Sequence, residues 1–211
     1  MRNFFIDIHT HILPEMDDGS KSWEETLQMC RIAVEDGIKT IALTPHIRNG
    51  AYWFEEEEIS QKAGELKKHV KEHGIALNIT TGADVHLDPE TLALIEKGIY
   101  SINPGRKYVL IELPDDHIPQ KMEENIFHLL IKGITPILSH PERNYEIQRN
   151  PQKLYELVNK GLLAQVTASS ITGGFGIEAK KTAEVLIRHR LVHIIASDAH
   201  SVNWRPPVLK E

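Results

Sequence analysis

Short apolar runs alternate with amphipathic, capped stretches along the whole chain. Residues 4–8, 39–43, 76–80, 107–113, 135–139, 163–167 and 192–196 read as strands. Between them lie six helical patterns. The first is capped by Ser22, with Glu25 three residues on, buries Leu27, Cys30, Ile32 and Val34 along one side, and stops at Gly37. The others cover 55–73, a stretch opening at Asp88-Pro89, 119–132, 151–160 and 177–190, most of them closed by a glycine. Seven strands separated by six helices imply a parallel sheet, and near-continuous apolar strands imply cover on both faces. An open doubly wound sheet and a closed barrel both fit. The barrel is favoured because no Gly-rich phosphate loop follows the first strand and because nearly every strand ends in residues of one chemical kind.

Those ends carry, in order, His9 with His11, His46, Asp84, Glu112, His140, the Ser169-Ser170 loop, and Asp198 with His200, while Asp18 lies in the first loop. His9 and His11 are two apart on an extended backbone, so both project to one face. In a parallel barrel all strand C-termini open onto a common face, so six of seven ends deliver a histidine or carboxylate there. The other histidines fall elsewhere: His69, His73, His128 and His189 on helices, His86 and His117 in loops without an assigned role, and His193 inside the last strand as a packing residue. Five histidines and four carboxylates exceed the needs of one ion and suffice for two or three. With no sulfur among them, manganese, iron or zinc is expected. Such a cluster generates hydroxide from water at neutral pH and clamps an anionic substrate. Arg143 follows His140 by three residues and Arg205 follows His200 by five; guanidinium groups fit phosphate oxygens, which tilts the expected substrate toward a phosphate ester. Cys30 is not a phosphatase nucleophile, because position 36, where the phosphate-loop arginine would stand, is Asp36.

Composition narrows the setting. At 211 residues, with 41% hydrophobic and 26% charged positions, the chain fits one globular domain, 1–211. A net charge of -6 argues against nucleic acid as a partner, and no run approaches the ~20 apolar residues of a membrane span. A single cysteine and the absence of a signal-peptide pattern make the cytoplasm the expected location.

The motifs Asp7-Ile8-His9-Thr10-His11, Asp17-Asp18-Gly19, Thr44-Pro45-His46, Ile111-Glu112-Leu113, Ser139-His140-Pro141-Glu142-Arg143 and Ser197-Asp198-Ala199-His200 resemble the polymerase-and-histidinol-phosphatase (PHP) superfamily. Within it, the Asp-Asp-Gly loop, the His-Pro-Glu-Arg motif, Gln165-Val166-Thr167-Ala168-Ser169-Ser170 and the Arg205-Pro206-Pro207 tail resemble bacterial manganese-dependent protein-tyrosine phosphatases encoded with capsule and exopolysaccharide genes. The resemblance implies a distorted (β/α)7 TIM-like barrel with three metals. It implies His9, His11, Asp18, His46, Glu112, His140, Asp198 and His200 as ligands, and Arg143 and Arg205 as phosphate-binding residues. The implied reaction is hydrolysis of phosphotyrosine on a tyrosine autokinase that controls polysaccharide synthesis, by in-line attack of a metal-bound hydroxide. A histidinol-phosphate type of small-molecule phosphatase and a weakly active partner-binding domain are the alternatives. Two departures stand out. Asp84 occupies a position where the family usually has a bridging Glu; it is one methylene shorter, so a weaker bridge is expected, one that Asp84→Glu would improve. The chain also stops soon after the last strand, so the final covering helix is expected to be missing and an apolar flank exposed. Tyr52-Trp53-Phe54 is read either as a guide for a tyrosyl substrate or as rim packing.

Overall fold

The computed structural model describes residues 4–48, 50–102 and 105–210. In chain order its elements are β1 (Phe5–Thr10), α1 (Trp23–Asp36), β2 (Ile38–Leu43), β3 (His46–Ile47), α2 (Glu56–Glu72), β4 (Asn78–Thr81), β5 (Asp84–His86), α3 (Pro89–Ile95) and β6 (Tyr108–Glu112). There follow α4 (Met122–Ile131), β7 (Thr135–Ser139), a 3-10 turn at Pro141–Arg143, α5 (Tyr145–Arg149), α6 (Gln152–Asn159), β8 (Leu163–Thr167), α7 (Ala168–Thr172), α8 (Gly176–Arg188) and β9 (Ile194–Ala196).

Local signals act where they were expected. Ser22 Oγ accepts from the Glu25 N–H, although the Glu25 carboxylate reaches the Lys21 N–H rather than closing the box on Ser22. Gly37 ends α1 with φ 95°, a left-handed conformation suited to glycine. Asp88 caps α3 ahead of Pro89.

All strand pairs are parallel, in two runs, β1-β2-β4 and β3-β5-β6-β7-β8-β9. Two of the seven expected strands are therefore split, the second at Pro45 and the third at Gly82-Ala83. Proline has no N–H to continue a ladder. Gly82 lies so close to Ile102 that an added Cβ would stand 2.8 Å from its Cγ1. The split does not open the sheet, since Gly82 N–H donates to Leu43 O (3.0 Å) and Asp84 N–H to Pro45 O (3.1 Å). The last strand returns to the first: Asp198 N–H donates to His9 O (2.9 Å) and His11 N–H to Ala199 O (2.8 Å), around a single Thr10–Ala199 bridge. The doubly wound alternative has no such return.

The main core lies between strands and helices, with Ile41, Leu43, Val109, Ile111 and Val166 against Leu66, Leu129, Leu157 and Leu186. A second, smaller cluster of Ala42, Ile102, Leu110 and Ile137, joined by Ile8, Leu163 and Ile194, fills the inside of the ring. β8 shows the layering. Leu163 joins the inner cluster, Gln165 meets His9 and Thr167 meets Arg143. The period of two thus stacks an apolar floor beneath a polar upper layer.

Among the described residues no helix follows β9. Phe4, Ile6 and Ile195 on the first and last strands and their edge are 63%, 54% and 44% exposed. The stretch after His200 is irregular and leans on α1, where Leu209 N–H donates to Asp36 (2.8 Å). No helix of the described residues is long and apolar enough to cross a membrane.

Candidate metal centre

β1 runs to Thr10, two residues further than expected, so His9 lies inside the strand and His11 directly follows its end. His9 and His11 are buried and their Nε2 atoms face one another at 3.0 Å. Each is oriented from behind. The Nδ1–H of His9 donates to Gln165 Oε1 (2.8 Å) and that of His11 to Asp17 Oδ2 (2.6 Å). The Nδ1–H of His200 donates to the Asp198 main-chain oxygen (2.9 Å). With Nδ1 fixed as the donor, all three turn Nε2 toward the centre, the nitrogen through which an imidazole would ligate a metal once that atom is free of its proton.

The remaining strand ends meet these nitrogens. Asp84 Oδ2 lies 3.5 Å from His9 Nε2 and 3.4 Å from His46 Nδ1. Glu112 stands between His46 (3.7 Å) and His140 (3.2 Å). Asp18, at the exposed rim, reaches both His200 (3.5 Å) and His46 (3.7 Å). Asp198 Oδ1 lies 3.3 Å from His9, 3.4 Å from His11 and 3.6 Å from His200. The nine expected residues thus converge in one place. Ligand atoms within 4.8 Å of one another form three overlapping groups: His11, Asp18, His46 and His200; His9, His11 and Asp84; and His46, Asp84 and Glu112. His140 and Asp198 flank these groups at the distances just given. Both take left-handed backbone conformations, φ 34° and 54°, a region that residues other than glycine adopt at some cost.

The donor set fits divalent ions. Both oxygens of Asp84, His46 Nδ1 and His200 Nε2 are buried without a hydrogen-bond partner. Leaving such atoms unpaired costs about 1–3 kcal/mol each, so a cluster of them at one point marks a place for ligands. The electrostatics agree. Burial opposes charge on His9 and His46, but the carboxylates outweigh it: Asp198 and Asp84 bring His9 up to about 9, and Asp84 with Glu112 brings His46 up to about 10. Burial likewise opposes charge on Asp84 and Asp198, yet neighbouring histidines, and for Asp198 the two arginines, hold both well below the usual carboxylate range. His200 goes the other way, to about 4, through burial and the nearby His11. In the ion-free chain protons on His9 and His46 thus supply positive charge that metal ions would otherwise supply.

Arg143 and Arg205 lie at one edge of this cluster. Both bind Asp198 Oδ2 through Nη2, so this carboxylate turns one oxygen to the histidines and the other to the arginines. Burial and the adjacent Arg143 lower the Arg205 pKa while Asp198 supports its charge. The Nε of each guanidinium is buried and unpartnered. Tyr52 stacks beside His46, with centroids 6.1 Å apart and planes 18° apart, whereas Phe54 packs on the main core and Trp53 faces solvent. The aromatic loop thus divides between site and packing.

The family described as capsular polysaccharide synthesis, CpsB/CapC, matches residues 5–211. The chain belongs to the CpsB/CapC family. It is 41% identical to tyrosine-protein phosphatase YwqE of Bacillus subtilis over 201 residues, 95% of this chain and 79% of YwqE. A crystal structure from work on YwqE of B. subtilis and CpsB of Streptococcus pneumoniae, described as unique metal-dependent tyrosine phosphatases, shares the fold at TM-score 0.92 and 39% identity, over 98% of this chain and 83% of that one. A Listeria monocytogenes protein described as a candidate histidinol phosphatase, hisK, matches at TM-score 0.60 and 10% identity over 95% of this chain and 97% of that one, a likeness of fold alone.

Some residues that complete this CpsB/CapC site lie outside the expected set. Asp17 orients His11, receives the His46 N–H (2.9 Å) and, through Oδ1, the Gly19 N–H (2.9 Å). Gln165 orients His9, and Glu142 receives the Thr167 N–H (3.1 Å) and Ser170 Oγ–H (2.6 Å). A signal existed for each. Asp17 and Glu142 are charges inside motifs, and Gln165 is a polar residue within an apolar strand. The histidines set aside stay outside the centre. His193 Nδ1 accepts the Ala164 N–H (3.1 Å), His117 pairs with Asp116 and His69 stacks on Trp23. Cys30 is buried and its thiol is pushed up to about 12 by burial, consistent with an inert packing residue.

Proposed function

We propose that this chain is a metal-dependent protein-tyrosine phosphatase of the PHP class. In this reading it acts in the cytoplasm on phosphotyrosine of a tyrosine autokinase in capsular or exopolysaccharide synthesis, with manganese as the working metal. One observation supports the reading: nine histidine and carboxylate side chains converge beside two arginines that bind one of those carboxylates. Family membership and the names of the relatives support it.

His9, His11, Asp18, His46, Asp84, Glu112, His140, Asp198 and His200 would hold the ions. The chemistry divalent ions supply when bound is a lowered pKa for coordinated water and charge neutralisation on phosphoryl oxygens. The chain's own residues do the rest. Arg143 and Arg205 present unpaired N–H groups to the outer phosphoryl oxygens and fix the phosphorus for in-line displacement. Asp198 keeps that pair in register with the ligand cluster. Asp17 and Gln165 hold the His11 and His9 protons on Nδ1, away from the reacting centre. Tyr52 offers a ring face to an aromatic leaving group at the rim.

Turnover of a phosphotyrosyl peptide against histidinol phosphate, both with added manganese, tests this reading. A kcat/KM at least about tenfold higher for the peptide is expected. A preference for histidinol phosphate would replace it with the small-molecule reading.

A further inference from the structure

Phe175 lies in a glycine-flanked turn between α7 and α8. Its half-buried ring meets both arginines of the site, with the Arg143 guanidinium carbon 4.3 Å and that of Arg205 5.2 Å from its centroid. These two cations converge on a single oxygen of Asp198, and one carboxylate oxygen has few directions in which to hold two guanidinium groups that repel each other. The negative face of an aromatic ring attracts both without using any of their N–H donors.

The turn is built to place that ring. Gly173 ends α7 at φ 101° and Gly176 starts α8 at φ 88°, conformations that glycine permits. Gly174 N–H donates to Ser169 O (2.7 Å), and a Cβ on Gly174 would stand 3.1 Å from that oxygen. Glu142, the neighbour of Arg143, binds the start of the same segment through Thr167 N–H and Ser170 Oγ–H. The ring and Arg143 are therefore tied to one motif.

We propose that Phe175 is the positioning residue of the arginine pair, holding both guanidinium groups on its ring face so that their free N–H edges meet one phosphoryl group together. This rests on the reading of Arg143 and Arg205 as the phosphate clamp. Phe175 itself does not touch the reacting atoms.

The test is the inhibition constant of inorganic phosphate in the manganese-loaded protein, with bound metal measured alongside. Phe175→Leu keeps apolar volume without a ring face and is expected to weaken phosphate about 5- to 30-fold, whereas Phe175→Tyr stays within about twofold of the parent. Fluorinated phenylalanines incorporated at position 175 keep the ring's shape and drain its face, so phosphate should weaken stepwise with each added fluorine. This series also covers a Leu variant that fails to fold. Phosphate bound equally by parent and fluorinated proteins would overturn the proposal. Arg143→Lys and Arg205→Lys separate the two ideas. If these variants weaken phosphate and the fluorinated ones do not, only the role of Phe175 falls. If the lysine variants bind phosphate as the parent does, the clamp reading falls first.

Discussion

At the scale of single residues, Asp84 is the informative side chain. It is fully buried, and one of its oxygens sits between His9 at 3.5 Å and His46 at 3.4 Å, in two of the three ligand groups. The shorter carboxylate already reaches both sides. From this geometry the opposite outcome to the one expected of a longer side chain is predicted. Asp84→Glu adds a methylene at the packed centre of the ring, and the expected result is fewer bound ions and turnover lower by on the order of tenfold. Metal analysis of the purified variant checks this, and a gain in occupancy would show that Asp84 under-reaches. Protonation belongs to the same scale. His9 and His46 are raised from an ordinary 6.5 to about 9 and about 10 in the ion-free chain. Their protonated forms stabilise the ion-free fold fully below pH 6.5, and this contribution is lost as pH rises through 9–10. Metal binding requires those protons to leave, so affinity must climb with pH across that window.

At the scale of elements, the loop after β1 is held as firmly as the strands. Gly19 packs where a Cβ would stand 2.0 Å from His11 O, and Ser20 N–H donates to that same oxygen (3.1 Å). Asp17 and Asp18 are positioned by this close approach. Gly19→Ala should displace both, releasing the His11 Nδ1 proton from its acceptor and the rim carboxylate from His200. Metal affinity is expected to fall by about 10- to 100-fold with the rest of the fold intact, as titration with manganese and circular dichroism would show. The elements were largely legible in the chain because their causes are local. Apolar runs between capped helices placed the strands within about two residues, and parallel strands necessarily gather their C-terminal residues on one face. What was not legible depends on distant partners. The break at Gly82 is set by Ile102, and the orienting role of Gln165 depends on a histidine at the other end of the chain. The small-residue stretch Ala168-Ser169-Ser170 read as a loop but forms α7, tied down by Glu142. The part Asp17 plays emerges only when the loop folds back on His11.

At the scale of the whole molecule, the ring has an apolar floor, a polar upper layer and a partly uncovered flank at Phe4, Ile6 and Ile195. The ligand cluster draws on strands from both ends of the sequence. His9 and Asp198 meet only because β9 returns to β1, so ions bound there would cross-link the first and last strands. The central claim is that this cluster holds several ions and hydrolyses phosphate esters with them. The most direct measurement strips the protein with a chelator and titrates manganese at pH 6.5 and pH 8, following bound metal and turnover of para-nitrophenyl phosphate together. Two or more ions per chain, turnover that rises with occupancy, and tighter binding at the higher pH are expected. A folded protein that holds one ion or none and stays inert in excess manganese would contradict the claim.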